Sequence, residues 1–198
     1  KPTIRNLCVL MLERFDQDLP ALRQRVEEAL NRLEQETYIQ RNGEHYEYLT
    51  DEEKDIEQEI KAVDIESSDV AAELDKIIFD YVIKQRKIRI GEQGQDYPFS
   101  RKLDDRLSGR EYELAIHVIS PFHEHADSHD ILQMQNTGKS ELLVVMPSDS
   151  RVMEDVEMYL RTAKYVQPNI RSALQDSTRR ILHDKGLQNS ERYAEIQQ

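Results

Sequence analysis

The chain has a single cysteine, Cys8, and no tryptophan in 198 residues. A lone thiol excludes an internal disulfide framework and fits a reducing cytoplasm. Glycine and proline are sparse, at six residues each, and neither an internal repeat nor a low-complexity linker is visible. No stretch approaches the apolar length of a membrane span, so no membrane partner is expected. Neither a secretory signal nor an initiator methionine heads the sequence, and it reads as an excised piece of a longer cytoplasmic protein. Basic side chains are also in deficit. There are 27 Lys and Arg against 39 Asp and Glu, giving a net charge of −12 and a pI near 5.0. A field of that sign disfavours general affinity for nucleic acid or anionic membrane. What is present is a 38% hydrophobic fraction, enough to bury a core in one large or two small domains.

Charge is unevenly spread. Residues 1–62 hold 9 basic and 15 acidic side chains, and residues 111–165 hold 4 and 10. Residues 84–110 reverse the balance with 8 basic and 4 acidic. Lys84, Arg86, Lys87, Arg89, Arg101, Lys102, Arg106 and Arg110, with Tyr97 and Phe99 among them, are the candidate surface for a polyanion. Basic and aromatic side chains on two strands can track a phosphate backbone and stack on bases. The competing reading makes them solvated faces of edge strands, where Lys and Arg block unwanted pairing.

Ile4, Leu7, Cys8 and Met11 recur at helical spacing, and Leu19, Leu22, Val26, Ala29, Leu30 and Leu33 repeat the pattern over a longer stretch. Asn42-Gly43, flanked by Tyr and Ile, predicts a hairpin with both residues at the centre of a type I′ turn. Thr50 and Glu53 have capping-box spacing and open a third helix to about Ala62. Helix, helix, hairpin, helix is the order of a winged-helix-like module over residues 1–62. Its long helix mixes Arg23, Arg25 and Arg32 with Glu27, Glu28 and Glu34, which suits protein docking better than a DNA groove.

Residues 63–198 read as a mixed α+β domain ending in two helices, a usual domain size. Val70, Leu74, Ile77, Ile78, Tyr81 and Val82 form one apolar stripe, predicting a helix over residues 68–84. The run KIRIGEQGQDYPFSRKLDD reads as two short strands around a Gly-rich turn, YELAIHVISP as a third strand, and ELLVVMP as a fourth, buried on both faces. A helix is expected from Ser148-Asp149 and a last one from about Pro168 to Gly186. About four strands result.

Motifs for chemistry are few. QNTGKS ends like a phosphate-binding loop, but Gln133 stands where the first glycine belongs, and the apolar run follows the motif rather than preceding it. It reads as a turn before a strand. His123, His125 and His129 lie among Glu124, Asp127 and Asp130, a composition that metals favour. His125 and His129 share a face if the stretch is helical. The loop lacks the His-Glu-x-x-His pattern, so a metal-dependent hydrolase is the outlying alternative. His117 falls inside a strand as a packed or edge histidine, and Cys8 behaves as a small hydrophobe. Ser100, Ser108 and Ser120 have no nucleophile-elbow context. No catalytic, cofactor or metal residue is assigned.

The segment NRLEQETYIQRNGEHYEYLTDEEKDIEQEI resembles the region after the ATPase core in BREX phage-defence P-loop ATPases, the BrxC/PglY family. YPFSRKLDDRLSGREYELAIHVISP, LLVVMPSDSRVMEDVEMYLRTAKYV and RRILHDKGLQNSER are similar to its downstream region, in the same order. The resemblance implies bacterial cytoplasm, phage restriction, and a complex with other BREX proteins including a methyltransferase. It also implies ATP and Mg bound elsewhere in the full-length protein, and no Walker residue carries over onto this chain. The expectation is a non-catalytic middle fragment serving as a scaffold for partner proteins or protomers, with self-association and DNA as further contacts. The alternative is a free-standing winged-helix DNA-binding regulator.

Overall fold

The computed structural model describes residues 2–14, 16–89, 94–148 and 150–197. It is an α+β structure whose chain folds into two compact units. One joins Lys1–Asp64 to Met158–Glu195; the other joins Ile65–Glu157 to Ile196–Gln198. The C-terminal helices, expected to close the α+β domain, therefore pack largely with the first 64 residues.

In the first unit, α1 (Ile4–Leu10) is capped by Thr3, and α2 (Leu19–Gln35) by Asp18 with Pro20 in its opening turn. Pro tolerates that position because its missing N–H has no intrahelical partner there. Leu22, Val26 and Leu30 bury one face of α2 with Ile39 and Tyr46, and Ile4, Leu7 and Cys8 of α1 pack against them. β1 (Ile39–Asn42) and β2 (His45–Tyr48) form the hairpin. Its turn is displaced by one residue from the expectation. Asn42 pairs with His45, so Gly43 and Glu44 are the central residues, and only Gly43 has a positive φ (59°). Positive φ at the first central position alone is the type II′ pattern, which selects glycine there. Glu195 Oε1 also crowds this position, at 2.6 Å from where a Cβ would lie. The capping box is present at the start of α3 (Asp51–Lys61), with Thr50 and Glu53 bonding each other's backbone N–H.

α6 (Ser150–Ser172) runs straight through Pro168, and α7 (Asp176–Ile196) through Gly186, so neither residue marks a helix end. Asn169 donates to the Tyr165 carbonyl at 2.8 Å near the proline. Val166 lies 3.7 Å from the Cβ position of Gly186, an ordinary van der Waals distance. Ile56 and Ile60 of α3 join Val166 and Leu182 in a second core. Inside this unit Lys185 bonds Glu57 and Gln40, both ionised partners being over nine-tenths buried. Burial and a hydrogen bond to Glu59 push the Tyr165 phenol up to about 12.

In the second unit, α4 (Ser67–Lys76) passes into a π-helical segment, Ile77–Ile83. Five strands follow: β3 (Lys87–Arg89), β4 (Asp96–Leu103), β5 (Arg106–Ser108), β6 (Leu114–Ile119) and β7 (Glu141–Val145), with α5 (His129–Asn136) before the last. The sheet order is β3-β4-β6-β7, with β5 paired to β4; β4, β6 and β7 are mutually parallel. The Gly-rich turn read between the first two strands and the helix start at Asp149 lie in part outside the described residues.

Two expectations are corrected here. β5 is an additional strand. Leu103 pairs with Arg106 around Asp104 (φ 47°) and Asp105 (φ 65°), a two-residue turn with both central residues left-handed. β7 is an edge strand with alternating burial, and Leu142 and Val144 are 58% and 41% exposed. The strand buried on both faces is β6, which lies between two parallel neighbours.

Candidate functional site

Strand register decides where the basic segment points. Residues paired across a ladder share a face of the sheet. Lys87 and Arg89 of β3 pair with Pro98 and Asp96, which places them on the face that carries Lys102. Arg101 and Arg106 belong to the opposite face, with buried Phe99 and Leu103. Phe99 is 4% exposed and unavailable for base stacking; Tyr97 is 39% exposed. Arg101 bonds Asp80 at 2.9 Å and lies over the Phe79 ring, while Arg89 bonds Asp96 at 2.9 Å. Arg110 lies over Tyr112. Lys84, Arg86, Lys87 and Arg106 are exposed. The segment is thus two basic groups on two faces rather than one stripe.

A tighter constellation forms where β4, β6 and β7 lie side by side, and sequence reasoning did not assemble it. His117 pairs with Lys102 across one ladder and with Leu143 across the other, bringing Lys102, His117 and Glu141 onto one face. Lys102 Nζ donates to Glu141 Oε1. His117 Nε2 accepts the Asp105 backbone N–H at 3.1 Å. Its Nδ1 therefore carries the proton of the neutral ring and faces Glu141 Oε2 at 3.4 Å. That distance is within ion-pair range, but Oε2 has no aligned hydrogen-bond donor among the described residues. Asp105 Oδ2 accepts from His123 Nε2 at 2.8 Å, and His123 Nδ1 accepts the His125 backbone N–H at 3.1 Å. Asp104 accepts from both the N–H and the hydroxyl of Ser120, at 2.7 and 2.6 Å.

The electrostatics follow from these contacts. The hydrogen bond from His123 holds the Asp105 carboxyl below its ordinary range, against some burial, with help from His117 and Lys139. Burial works to raise Glu141, but the hydrogen bond and charge of Lys102 outweigh it, and its pKa is lowered. Burial lowers the pKa of His117, more than Asp105 and Glu141 raise it. Each group's charge state is thereby fixed toward neutral histidine between carboxylates. A histidine–carboxylate pair serves as a base only if the far ring nitrogen reaches a reactive group. His123 spends that nitrogen on a backbone N–H, and Ser120 donates to Asp104 while accepting from Phe122 N–H. The constellation clamps the left-handed Asp104–Asp105 turn to the end of β6.

The histidine loop does not converge. Residues 121–128 form turns, and the helix starts at His129, so His125 and His129 do not share a helical face. His125 lies 3.4 Å from Glu124. Among the described residues, no group of three or more His, Cys, Asp or Glu could hold a metal ion. QNTGKS spans the end of α5 and the turn into β7, with Gly138 at φ 83° and Lys139 N–H bonded to Asn136 O. No helix opens there to direct N–H groups at a phosphate.

Residues 63–198, more than two thirds of the chain, match the family model described as "BREX ATP-binding protein BrxC 4th domain with six-stranded beta sheet". The chain belongs to this BREX BrxC family. It is a region of a BREX defence protein, and the match begins one residue after α3 and its C-cap end. Five strands of the BrxC-type sheet lie among the described residues. No solved structure matches the chain. No helix among the described residues is long and apolar enough to cross a membrane.

Proposed function

We propose that this BrxC region is a cytoplasmic, non-catalytic scaffold that holds partner BREX proteins or neighbouring protomers, with ATP and Mg handled by other parts of the full-length protein. The carrying observation is the constellation around Asp105. Its histidine nitrogens, carboxylates and Ser120 hydroxyl are directed at one another and at the backbone. That mutual pairing supports a structural rather than a chemical use of these polar groups. β7 supports the docking role, because it ends the sheet among the described residues and exposes Leu142 and Val144. The exposed Lys84, Arg86 and Lys87 are where DNA would be contacted.

The test is copurification of the BREX methyltransferase with the full-length protein, comparing wild type with Leu142→Lys/Val144→Lys. The scaffold reading expects reduced capture at unchanged thermal stability. Unchanged capture, together with duplex binding that weakens steeply with salt and is abolished by Arg86→Glu/Arg89→Glu, would instead establish the DNA-binding regulator.

A further inference from the structure

The apolar run Leu7-Cys8-Val9-Leu10-Met11-Leu12 is wider than the face that α1 buries. Ile4, Leu7 and Cys8 turn toward the core formed by α2 and the hairpin. At about 100° per residue, Val9 and Leu10 then fall on the far side of the helix. They are 68% and 81% exposed, and Met11 and Leu12 continue the exposed run past the helix end. Every residue of α1 keeps some exposure. A helical turn that is apolar all round belongs to a helix covered on all sides. A run of consecutive exposed apolar side chains marks a contact surface. Seven residues are also too few to hold a helix by hydrogen bonding alone. Among the described residues, Val9 and Leu10 are left without cover.

Two observations point to what covers them. The Tyr46 N–H donates to the Pro2 carbonyl at 3.0 Å, which ties the backbone just ahead of α1 to β2. Polypeptide preceding residue 1 therefore enters within roughly 10 Å of Val9 and Leu10, the length of a seven-residue helix. Residues 63–198 match a fourth domain, so residues 1–62 lie on the side of the domains that come before it. We propose that an apolar segment of the BrxC polypeptide preceding residue 1 folds back and docks on Val9, Leu10, Met11 and Leu12. Its tether gives that segment an effective concentration on the order of millimolar at this surface, an advantage no separate partner has. A second copy is disfavoured by repulsion, since each chain carries a net charge of −12. Residues 7–12 hold no charge, so the occupant meets them with apolar side chains rather than with an ion pair. The docking on α1 is independent of the scaffold reading, which turns on β7 in the other unit.

A photo-crosslinking p-benzoylphenylalanine at position 9 of the full-length protein tests the docking. Digestion and mass spectrometry should find the probe joined to a peptide that precedes residue 1, in a product that migrates as a single polypeptide. Adding Leu10→Lys/Met11→Lys should cut that product about tenfold or more, because two ammonium groups would be trapped under the segment. Both side chains are exposed in the 198-residue chain, so the same pair should leave its own melting temperature unchanged. A fall there would place them in this chain's core and overturn the docking surface. Attachment to a second copy or to another BREX protein, or no attachment to protein, would also overturn it. So would a cross-link to the upstream segment that survives the lysines, since that reports proximity without apolar contact. Should the lysine variant of the full-length protein not fold, Leu10→Ser/Met11→Ser carries the test with the same loss expected.

Discussion

His117 has a carboxylate within 3.4 Å of each ring nitrogen, yet its pKa is lowered from 6.5. Burial on the central strand is the first cause, and the attraction of Asp105 and Glu141 does not offset it. The folded imidazole thus binds a proton less readily than the unfolded one. Wherever the unfolded state binds more protons, stability rises with pH. His117 therefore contributes stability that is complete above 6.5 and lost as pH falls through its lower folded value. Asp105 follows the same sign in a lower window, losing its contribution as pH falls below the ordinary carboxylate value of 3.8. His117→Gln should flatten the fall in Tm between about pH 7.5 and about pH 5.5. A Tm–pH slope identical to wild type in that range would contradict this account. Nothing local marked His117 for this role. Its partners Asp105 and Glu141 are 12 and 24 positions away, and only strand pairing brings them together.

At the scale of elements, local chemistry was readable wherever one or two neighbouring residues decide the geometry. Thr50 and Glu53 specify the start of α3, and the structure contains both reciprocal bonds. Thr50→Ala should cost about 1 kcal/mol, with N–H groups of the first turn left to solvent. Glu53→Ala should cost less, and the double variant less than the sum, because the two residues share one box. Urea denaturation measures all three, and strict additivity would show that the box does not act as a unit. Elements decided by tertiary context were not readable. The Asp104–Asp105 turn looked like the end of a strand because neither residue is glycine. Its left-handed pair is held by Ser120, His123 and His117, all on later segments. β7 has the composition of an interior strand but occupies an edge. The basic segment looked continuous in sequence, and the period-two alternation of strands divided it between faces.

For the whole molecule, the important feature is that the first compact unit is built from both ends of the chain. The sequence suggested a winged-helix-like module over residues 1–62, since its helices, hairpin and capping box are all local. Part of its core is not. Ile56 and Ile60 pack against Val166 and Leu182, with Met158, Tyr165 and Ile181 around them. The ion pair adds to this dependence. Glu57 is 8% exposed and bonded to Lys185, and removing one partner of a buried pair typically costs about 3–5 kcal/mol because the other charge is stranded. Residues 1–62 alone would expose two isoleucines and leave Glu57 without Lys185, in a fragment small enough to be marginal already. We expect that fragment to show no cooperative thermal unfolding. The full chain should melt cooperatively, and Lys185→Met should lower its stability sharply, with Glu57→Leu/Lys185→Met recovering much of the loss. Circular dichroism melts of the four proteins decide the matter. A cooperative transition in the 1–62 fragment close to that of the full chain would show that the C-terminal helices only rest on a module that stands by itself.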